Sequence, residues 1–290
     1  MTSLIEATLR DELLATFHDE DYQPPPLSKV ALEVYKMARR ADVQVQDIVR
    51  VLGTDQMLAA STMRLVSSPV YGGQGRIKSL HQAVVRLGFK TLCDVVFEAA
   101  LTGSVFNLPE YTDVLEQIRH HSIAAAHLTR VVCEEAKVED DSAFLCGLLH
   151  DIGLTAQLLA ISRVEGSGRP VLRKVWQEVD NNHARASGLV ARLWRLPDEV
   201  CVLLAQHHGP FQQDLTPVAA AVCMADALSG RFGASVVGPI DETGEPMEAD
   251  SMDERCLAEA RERLGLDLDA VKRIAERAEA TIQELNRGGP

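Results

Sequence analysis

Apolar residues recur at three- and four-residue spacing along almost the whole chain, and no clear stretch alternates them in twos. That period belongs to helices with one buried face rather than to strands, so the pattern predicts an all-α protein. Leu4, Leu9, Leu13, Leu14 and Phe17 suit one amphipathic helix over 3–18. Three consecutive prolines, Pro24 to Pro26, then forbid helix continuation, because proline lacks a backbone N–H and its ring clashes with the preceding turn. Short helices are expected over 27–40, 45–52 and 55–66. Ser67 to Lys78, with Pro69, Gly72, Gly73 and Gly75, reads as a loop. It has no preceding strand and no following Lys-Ser/Thr, so its glycines mark a turn between helices rather than a phosphate cradle. Ser79 and Gln82 have capping-box spacing, and the helix they open ends at Gly88. Further helices are expected over about 90–104, 111–135, 141–161, 170–193, 197–207 and 216–229. From Gly233 glycine, proline and acids dominate, as in a flexible linker, and 253–286 returns to helix, divided at Gly265.

The predicted architecture is a two-lobed helical bundle. An N-terminal helix (1–19) precedes a lobe of short helices (20–106) and a second helical lobe (107–232). An acidic Gly/Pro linker (233–252) leads to a helical C-terminal tail (253–290). At 290 residues the chain is long enough for two packed cores. Aromatic residues are 4% of it, so those cores must be built from Leu, Val, Ala and Ile. Lys and Arg number 29 against 42 Asp and Glu, a net charge of −13. That balance works against nucleic acid or an anionic membrane as the main partner, since both attract a positive face. No basic, apolar leader opens the sequence and no apolar stretch reaches about 18 residues, so a cytoplasmic location is expected. Cys93, Cys133, Cys146, Cys201, Cys223 and Cys256 form no C-x-x-C pair and fall mostly on apolar faces, as reduced core thiols would.

Histidine is the informative residue. Six of the nine gather with two aspartates in one half: His120, His121, His150-Asp151, His183, His207-His208 and Asp226. The His150-Asp151 pair sits in Leu148-Leu149-His150-Asp151-Ile152-Gly153, at the inner end of an apolar helical stretch. Two polar side chains there need partners, since burying each unpaired costs about 1–3 kcal/mol or more. A divalent cation is an efficient one: imidazole and carboxylate both ligate Fe, Mn, Zn or Ni, and an aspartate can bridge two ions. The candidate residues lie on different predicted helices, as a centre inside a bundle requires. His120 and His121 point about 100° apart on a helix, so only one reaches such a centre, and His121 is the better placed. Glu178 reads as an orienting or solvated residue, and His18 and His81 as surface or capping groups. The charged tail, with Arg261, Arg263, Lys272, Arg273 and Arg277, reads as a helix face with local ion pairs.

The order His, His-Asp, Asp on successive helices resembles the HD superfamily of metal-dependent phosphohydrolases. Over about residues 20–230 the chain resembles more closely the HDOD proteins, bacterial signalling relatives of that superfamily. The likeness rests on Pro24 to Ala31, Leu65 to Gly72, Ile77 to Gly88, His121-Ser122, Leu148 to Gly153, Glu178 with His183, Trp194-Arg195-Leu196-Pro197 and His207-His208. It implies a non-catalytic regulatory module that binds a signalling protein or a nucleotide-type small ligand. Two alternatives stand beside it. One is a metal-dependent phosphohydrolase, such as a cyclic dinucleotide phosphodiesterase, with Asp151 bridging two cations. His121, His150 and Asp226 would hold one of them, and His183, His207 and His208 the other. The second alternative is a cyclic dinucleotide sensor that uses the same pocket for binding only. The related HD-GYP phosphodiesterases place a phosphate-contacting Lys after His-Asp-Ile-Gly and carry Gly-Tyr-Pro further on. Leu154 and Gly209-Pro210-Phe211 depart from both features, and Ser67-Ser68 stands where HDOD proteins usually read Asn-Ser. Dimerisation through the tail is an option without a clean apolar seam.

Overall fold

The computed structural model describes residues 22–40, 42–72, 77–105, 108–163, 169–211, 216–240, 246–248 and 254–287. The expected helix over 3–18, His18, Gly73, Gly75 and the acids at 241–245 and 249–250 lie outside the described residues. The chain divides into two compact units, one of residues 26–106 and 280–290, the other of 1–25 and 107–279. Among the described residues the architecture is helical, with one two-stranded ribbon.

The 26–106 unit contains α1 (Lys29–Ala38), α2 (Val45–Leu52), α3 (Gln56–Leu65), the single turn α4 (Pro69–Gly72) and α5 (Leu80–Ser104). Side-chain caps start two of them: Ser28 Oγ accepts from the Ala31 N–H and Asp55 Oδ1 from the Leu58 N–H. The turn α4 stands where a loop was expected, because proline at a first helical position loses no hydrogen bond there. Ser79 Oγ caps Gln82 as predicted, at 3.1 Å, but Gln82 Oε1 accepts from Lys78 N–H rather than from that of Ser79. Gly88 does break the helix, with φ 78° and ψ 168°, and the chain resumes helical geometry at once, so α5 is kinked. Ala31, Val34, Ile48, Leu52, Leu92, Val95 and Val96 are fully buried in the core.

The 107–279 unit holds the histidines. A 3₁₀ turn, Pro109–Tyr111, leads into α6 (Thr112–Ala136), followed by α7 (Ala143–Leu149), α8 (Ile152–Ser162), α9 (Arg169–Leu193), α10 (Asp198–Ala205) and α11 (Pro217–Arg231). Strands β1 (Val237–Ile240) and β2 (Pro246–Glu248) come next, then α12 (Glu254–Arg263) and α13 (Leu268–Arg287), whose residues from 280 on are counted with the other unit. Helix α6 packs on α7 and α11, α9 on α8 and α10, and α12 on α11. Two glycines permit the close approaches. A Cβ on Gly147 would come within 2.8 Å of Ala125 O and Ala126 Cα on α6. One on Gly153 would lie 2.1 Å from the His183 carbonyl oxygen on α9.

Three further expectations need correction. The helix expected over 141–161 is two helices, broken at His150 and Asp151. The break has a local cause: His150 Nδ1–H donates to Gly147 O, 2.8 Å away, where a continuing helix would place a backbone donor. The 20 residues Ala143–Ser162 are also long and apolar enough, by composition, to cross a membrane, contrary to the expectation that no such stretch exists; 94% of the apolar window is buried inside the protein. Burial of its Leu and Ile side chains contributes roughly 1.5–3 kcal/mol each to the core. Finally, part of the 233–252 linker forms an antiparallel ribbon, β1 with β2, in which backbone donors and acceptors satisfy one another.

The tail is tied by more than local pairs. Lys272 pairs with Asp269, but Arg273 and Arg277 reach Glu135 and Glu134 on α6. Trp194 Nε1–H donates to Pro25 O at 3.0 Å, joining two of the segments that carry the family resemblance. All six cysteines are free thiols, five of them buried and Cys256 half-buried.

Candidate metal centre

Seven side chains from five places in the chain converge in the 107–279 unit. His121 comes from α6, His150 and Asp151 from the break between α7 and α8, and His183 from α9. His207 and His208 come from the turn after α10, and Asp226 from α11. Three triads have ligand atoms within 4.8 Å of one another: His121, His150 and Asp226; His183, His207 and His208; and His150, Asp151 and His207. Asp151 stands between the first two. Its Oδ2 lies 3.3 Å from His121 Nε2 and 3.5 Å from His150 Nε2. Its Oδ1 lies 3.3 Å from His183 Nε2 and 3.7 Å from His207 Nε2. Asp226 Oδ1 is 3.1 Å from His121 Nε2 and 3.8 Å from His150 Nε2.

The backbone explains why Asp151 is available. It occupies the N-cap of α8, where an aspartate ordinarily accepts from a first-turn N–H. Here it makes no such bond. Ser187 of α9 takes over, its Oγ accepting from the Gly153 N–H at 2.8 Å, which leaves the carboxylate for the histidines.

Four of the five rings are fixed by their Nδ1 atoms. His121 Nδ1 lies 2.7 Å from Ala234 O and 2.9 Å from Ser229 Oγ, and His150 Nδ1 2.8 Å from Gly147 O. His207 Nδ1 lies 2.8 Å from Leu204 O, and His183 Nδ1 faces Asp180 O. A carbonyl oxygen only accepts, so each Nδ1 carries the proton and a neutral ring presents its lone pair at Nε2. Those Nε2 atoms nevertheless face one another: His121 and His150 at 3.0 Å, His183 and His208 at 2.8 Å, His183 and His207 at 3.3 Å. Facing lone pairs repel unless a positive charge lies between them. The donor set therefore fits a divalent cation in each half, with carbonyl partners behind the rings as metal-binding histidines usually have.

Without metal a proton must do that work, and the charges show where. Burial opposes a charged His150, but Asp151 and Asp226 outweigh it and push its pKa up to about 9. Burial likewise opposes charge on Asp226, yet the hydrogen bonds with His121 and His150 hold it well below the usual carboxylate range. Asp151 is also lowered, burial being outweighed by His150, His183 and His121. On the other side burial, together with the neighbouring histidines, drives His207 well below its ordinary value, and burial lowers His208 too. His150 and His207 are fully buried, whereas Asp226 keeps 17% of its side chain exposed. Asp226 and the half-buried His208 form the side of the centre nearest solvent.

All seven sequence-derived candidates thus lie in one cluster. His120, half-buried one position before His121, and Glu178 belong to none of the three triads, and His81 is exposed. Sequence reasoning did not find Ser187, Ser229 or the Ala234 carbonyl. Only Ser229 left a signal, being one helical turn beyond Asp226. Leu154, at the position of the phosphate-contacting lysine, is 3% exposed within the α8 core.

A model of the HDOD domain matches residues 25–210. Ribonuclease Y of Thermotoga petrophila is 26% identical over 165 residues, which cover 53% of this chain and 29% of that protein. The chain spans less than half the length of the curated relatives it matches. Among solved structures, an HDOD domain protein of unknown function from Geobacter sulfurreducens superposes with a TM-score of 0.68 at 20% identity, covering 98% of this chain and 99% of that one. A candidate metal-dependent phosphohydrolase from Shewanella amazonensis gives 0.67 at 17% identity, covering 96% and 99%. These two likenesses speak to the fold. Since the domain model takes in more than half of the sequence, including His121, His150, Asp151, His183, His207 and His208, the chain belongs to the HDOD family.

Proposed function

We propose that this HDOD protein is a metal-dependent phosphohydrolase acting on a nucleotide-type phosphoester. The observation that carries the reading is Asp151, whose two oxygens face two separate histidine groups. That is the arrangement expected of a carboxylate bridging two ions. When bound, a pair of divalent cations would act as Lewis acids on a phosphoryl oxygen and offset its developing charge. His121, His150 and Asp226 would hold one, His183, His207 and His208 the other. The chain's own work is positioning. The Nδ1 bonds keep four of the five Nε2 atoms turned inward, the Asp151 carboxylate stays ionised, and an ester would enter from the Asp226–His208 side, the one nearest solvent. The named activities of a ribonuclease Y and of a candidate phosphohydrolase among the relatives support the same reaction class. The net charge of −13 favours a small ester over RNA as substrate.

One observation favours a binding-only reading, in which the protein is a regulatory module or a cyclic dinucleotide sensor. Leu154 is buried where the related phosphodiesterases carry a phosphate-binding cation, which removes both a charge and a donor. The two readings separate in one assay. Protein loaded with Mn²⁺ or Fe²⁺ is offered bis(p-nitrophenyl) phosphate, p-nitrophenyl phosphate and a panel of linear and cyclic dinucleotides. Turnover that vanishes in Asp151→Asn supports hydrolysis. Stoichiometric metal without turnover on any ester, alongside a ligand-dependent rise in Tm, would leave the binding-only reading standing.

A further inference from the structure

The HDOD match ends at residue 210, yet the structure continues to build the centre beyond it. The turn that bears His207 and His208 is gripped from outside by α12. Cys256 Sγ–H donates to the His208 carbonyl oxygen at 2.9 Å. Glu259 Oε1 accepts from the Phe211 N–H at 3.2 Å. Cys256 and Glu259 are three residues apart and so share one face of α12. Ala260 anchors the helix with no exposed surface, and α12 packs against α11, the helix that supplies Asp226. One short helix thus fixes both ends of the four-residue segment His208–Phe211 and leans on the element bearing the opposite ligand. His208 needs such support more than its neighbours do. Four of the five rings have an Nδ1 bond to a backbone carbonyl, whereas the bond shown for His208 is through Nε2, to His183.

We propose that Cys256 and Glu259 are positioning residues for His208, and that α12 sets the occupancy of the His183–His207–His208 half of the centre. Neither residue touches the ion; each holds the backbone that carries the ligand. The reach of a thiol or carboxylate to this turn exists only while α12 is docked, so metal retention in this half depends on a segment outside the HDOD match. The inference rests on the two-cation reading given above.

The test is Mn²⁺ titration by calorimetry on the full chain, as wild type, Cys256→Ala, Glu259→Ala and the double variant. Cys256→Ser and Glu259→Gln serve as conservative replacements, since a hydroxyl still donates and an amide oxygen still accepts. Wild type is expected to take up two equivalents. The alanine variants should retain the first with unchanged affinity and bind the second about 10- to 100-fold more weakly, the usual effect of losing a partner behind a ligand. The conservative variants should recover most of that loss. Equal weakening of both sites, or no change at either, overturns the positioning role. If wild type binds no Mn²⁺, the two-cation reading fails by itself. The positioning of His208 is then read from ¹⁵N-histidine spectra, where the alanine variants must move the His208 signals and leave those of His121 and His150 in place. Unmoved His208 signals would sink it.

Discussion

The two halves of the centre share Asp151 and differ in almost everything else. His121, His150 and Asp226 form an acidic half: a second carboxylate adds negative charge, and His150 answers by holding a proton up to about pH 9. His183, His207 and His208 form an imidazole half, in which burial drives His207 and His208 toward neutrality. As ligands the first half offers one and a half carboxylates and the second half of one, with the Asp180 carboxylate behind His183 at 3.8 Å from Nδ1 rather than facing the ion. In a buried site that difference weighs heavily, because charge is poorly screened there. The acidic half should hold its ion tightly, and the imidazole half should exchange its ion with the medium.

The largest effect expected is from Asp151→Asn, which keeps the shape and removes the shared charge. Elemental analysis should find both ions lost and hydrolysis abolished; full occupancy of either half would break the idea of a shared bridge. Gly153→Ala comes next. The new Cβ would overlap the His183 carbonyl, 2.1 Å away, and force α8 from α9. A loss of roughly 3 kcal/mol in stability is expected from overpacking of this kind, seen as a lower urea midpoint. Because α8 begins at Asp151 and α9 carries His183, the imidazole half should lose its ion first. A third comparison sets Asp226→Asn against His208→Gln. The former should weaken the tighter of two Mn²⁺ sites by about 100-fold and the latter only the weaker site, by about 10-fold. Calorimetry showing the reverse assignment would overturn the contrast drawn above.

A last effect concerns His127, whose pKa moves in the opposite direction to that of His150. His127, on the same helix as His121, packs edge-on against Phe144 with ring centroids 5.1 Å apart. Burial, assisted by Arg130, lowers its pKa to about 3. The unfolded chain takes up a proton near pH 6.5, which the folded protein refuses until about pH 3. The neutral ring's contribution is therefore intact above pH 6.5 and erodes as pH falls toward 3, by up to about 1.4 kcal/mol per pH unit. His127→Gln should flatten that acid limb when folding free energy is measured between pH 6 and 4. An unchanged slope would assign the acid sensitivity to other groups, His207 first. The contrast between His127 and His150 is instructive, since both are buried and Asp151 and Asp226 raise the second while burial and Arg130 lower the first.

Much of this was legible in the residues. The period of the apolar positions gave helices α6, α9, α10 and α11 to within about two residues. The pairing of His150 with Asp151 in an apolar stretch marked the centre, because polar groups there must find partners. The single helix expected over 141–161 failed at that same pair, since periodicity does not register a side chain that competes with the backbone. The strands at 237–240 and 246–248 were missed because Gly and Pro obscure a short strand.

From the sequence alone came the fold class, the seven candidate side chains and the likeness to HDOD proteins, all of which follow from local pattern and residue chemistry. Tertiary structure decided which ring nitrogen faces inward, that Ser187 frees Asp151 from its capping duty, and that α12 holds the His208 turn. Those are contacts between residues distant in the chain, some by 34 and 48 positions. Their geometry is fixed by how closely helices approach, and no local period in the chain records that distance.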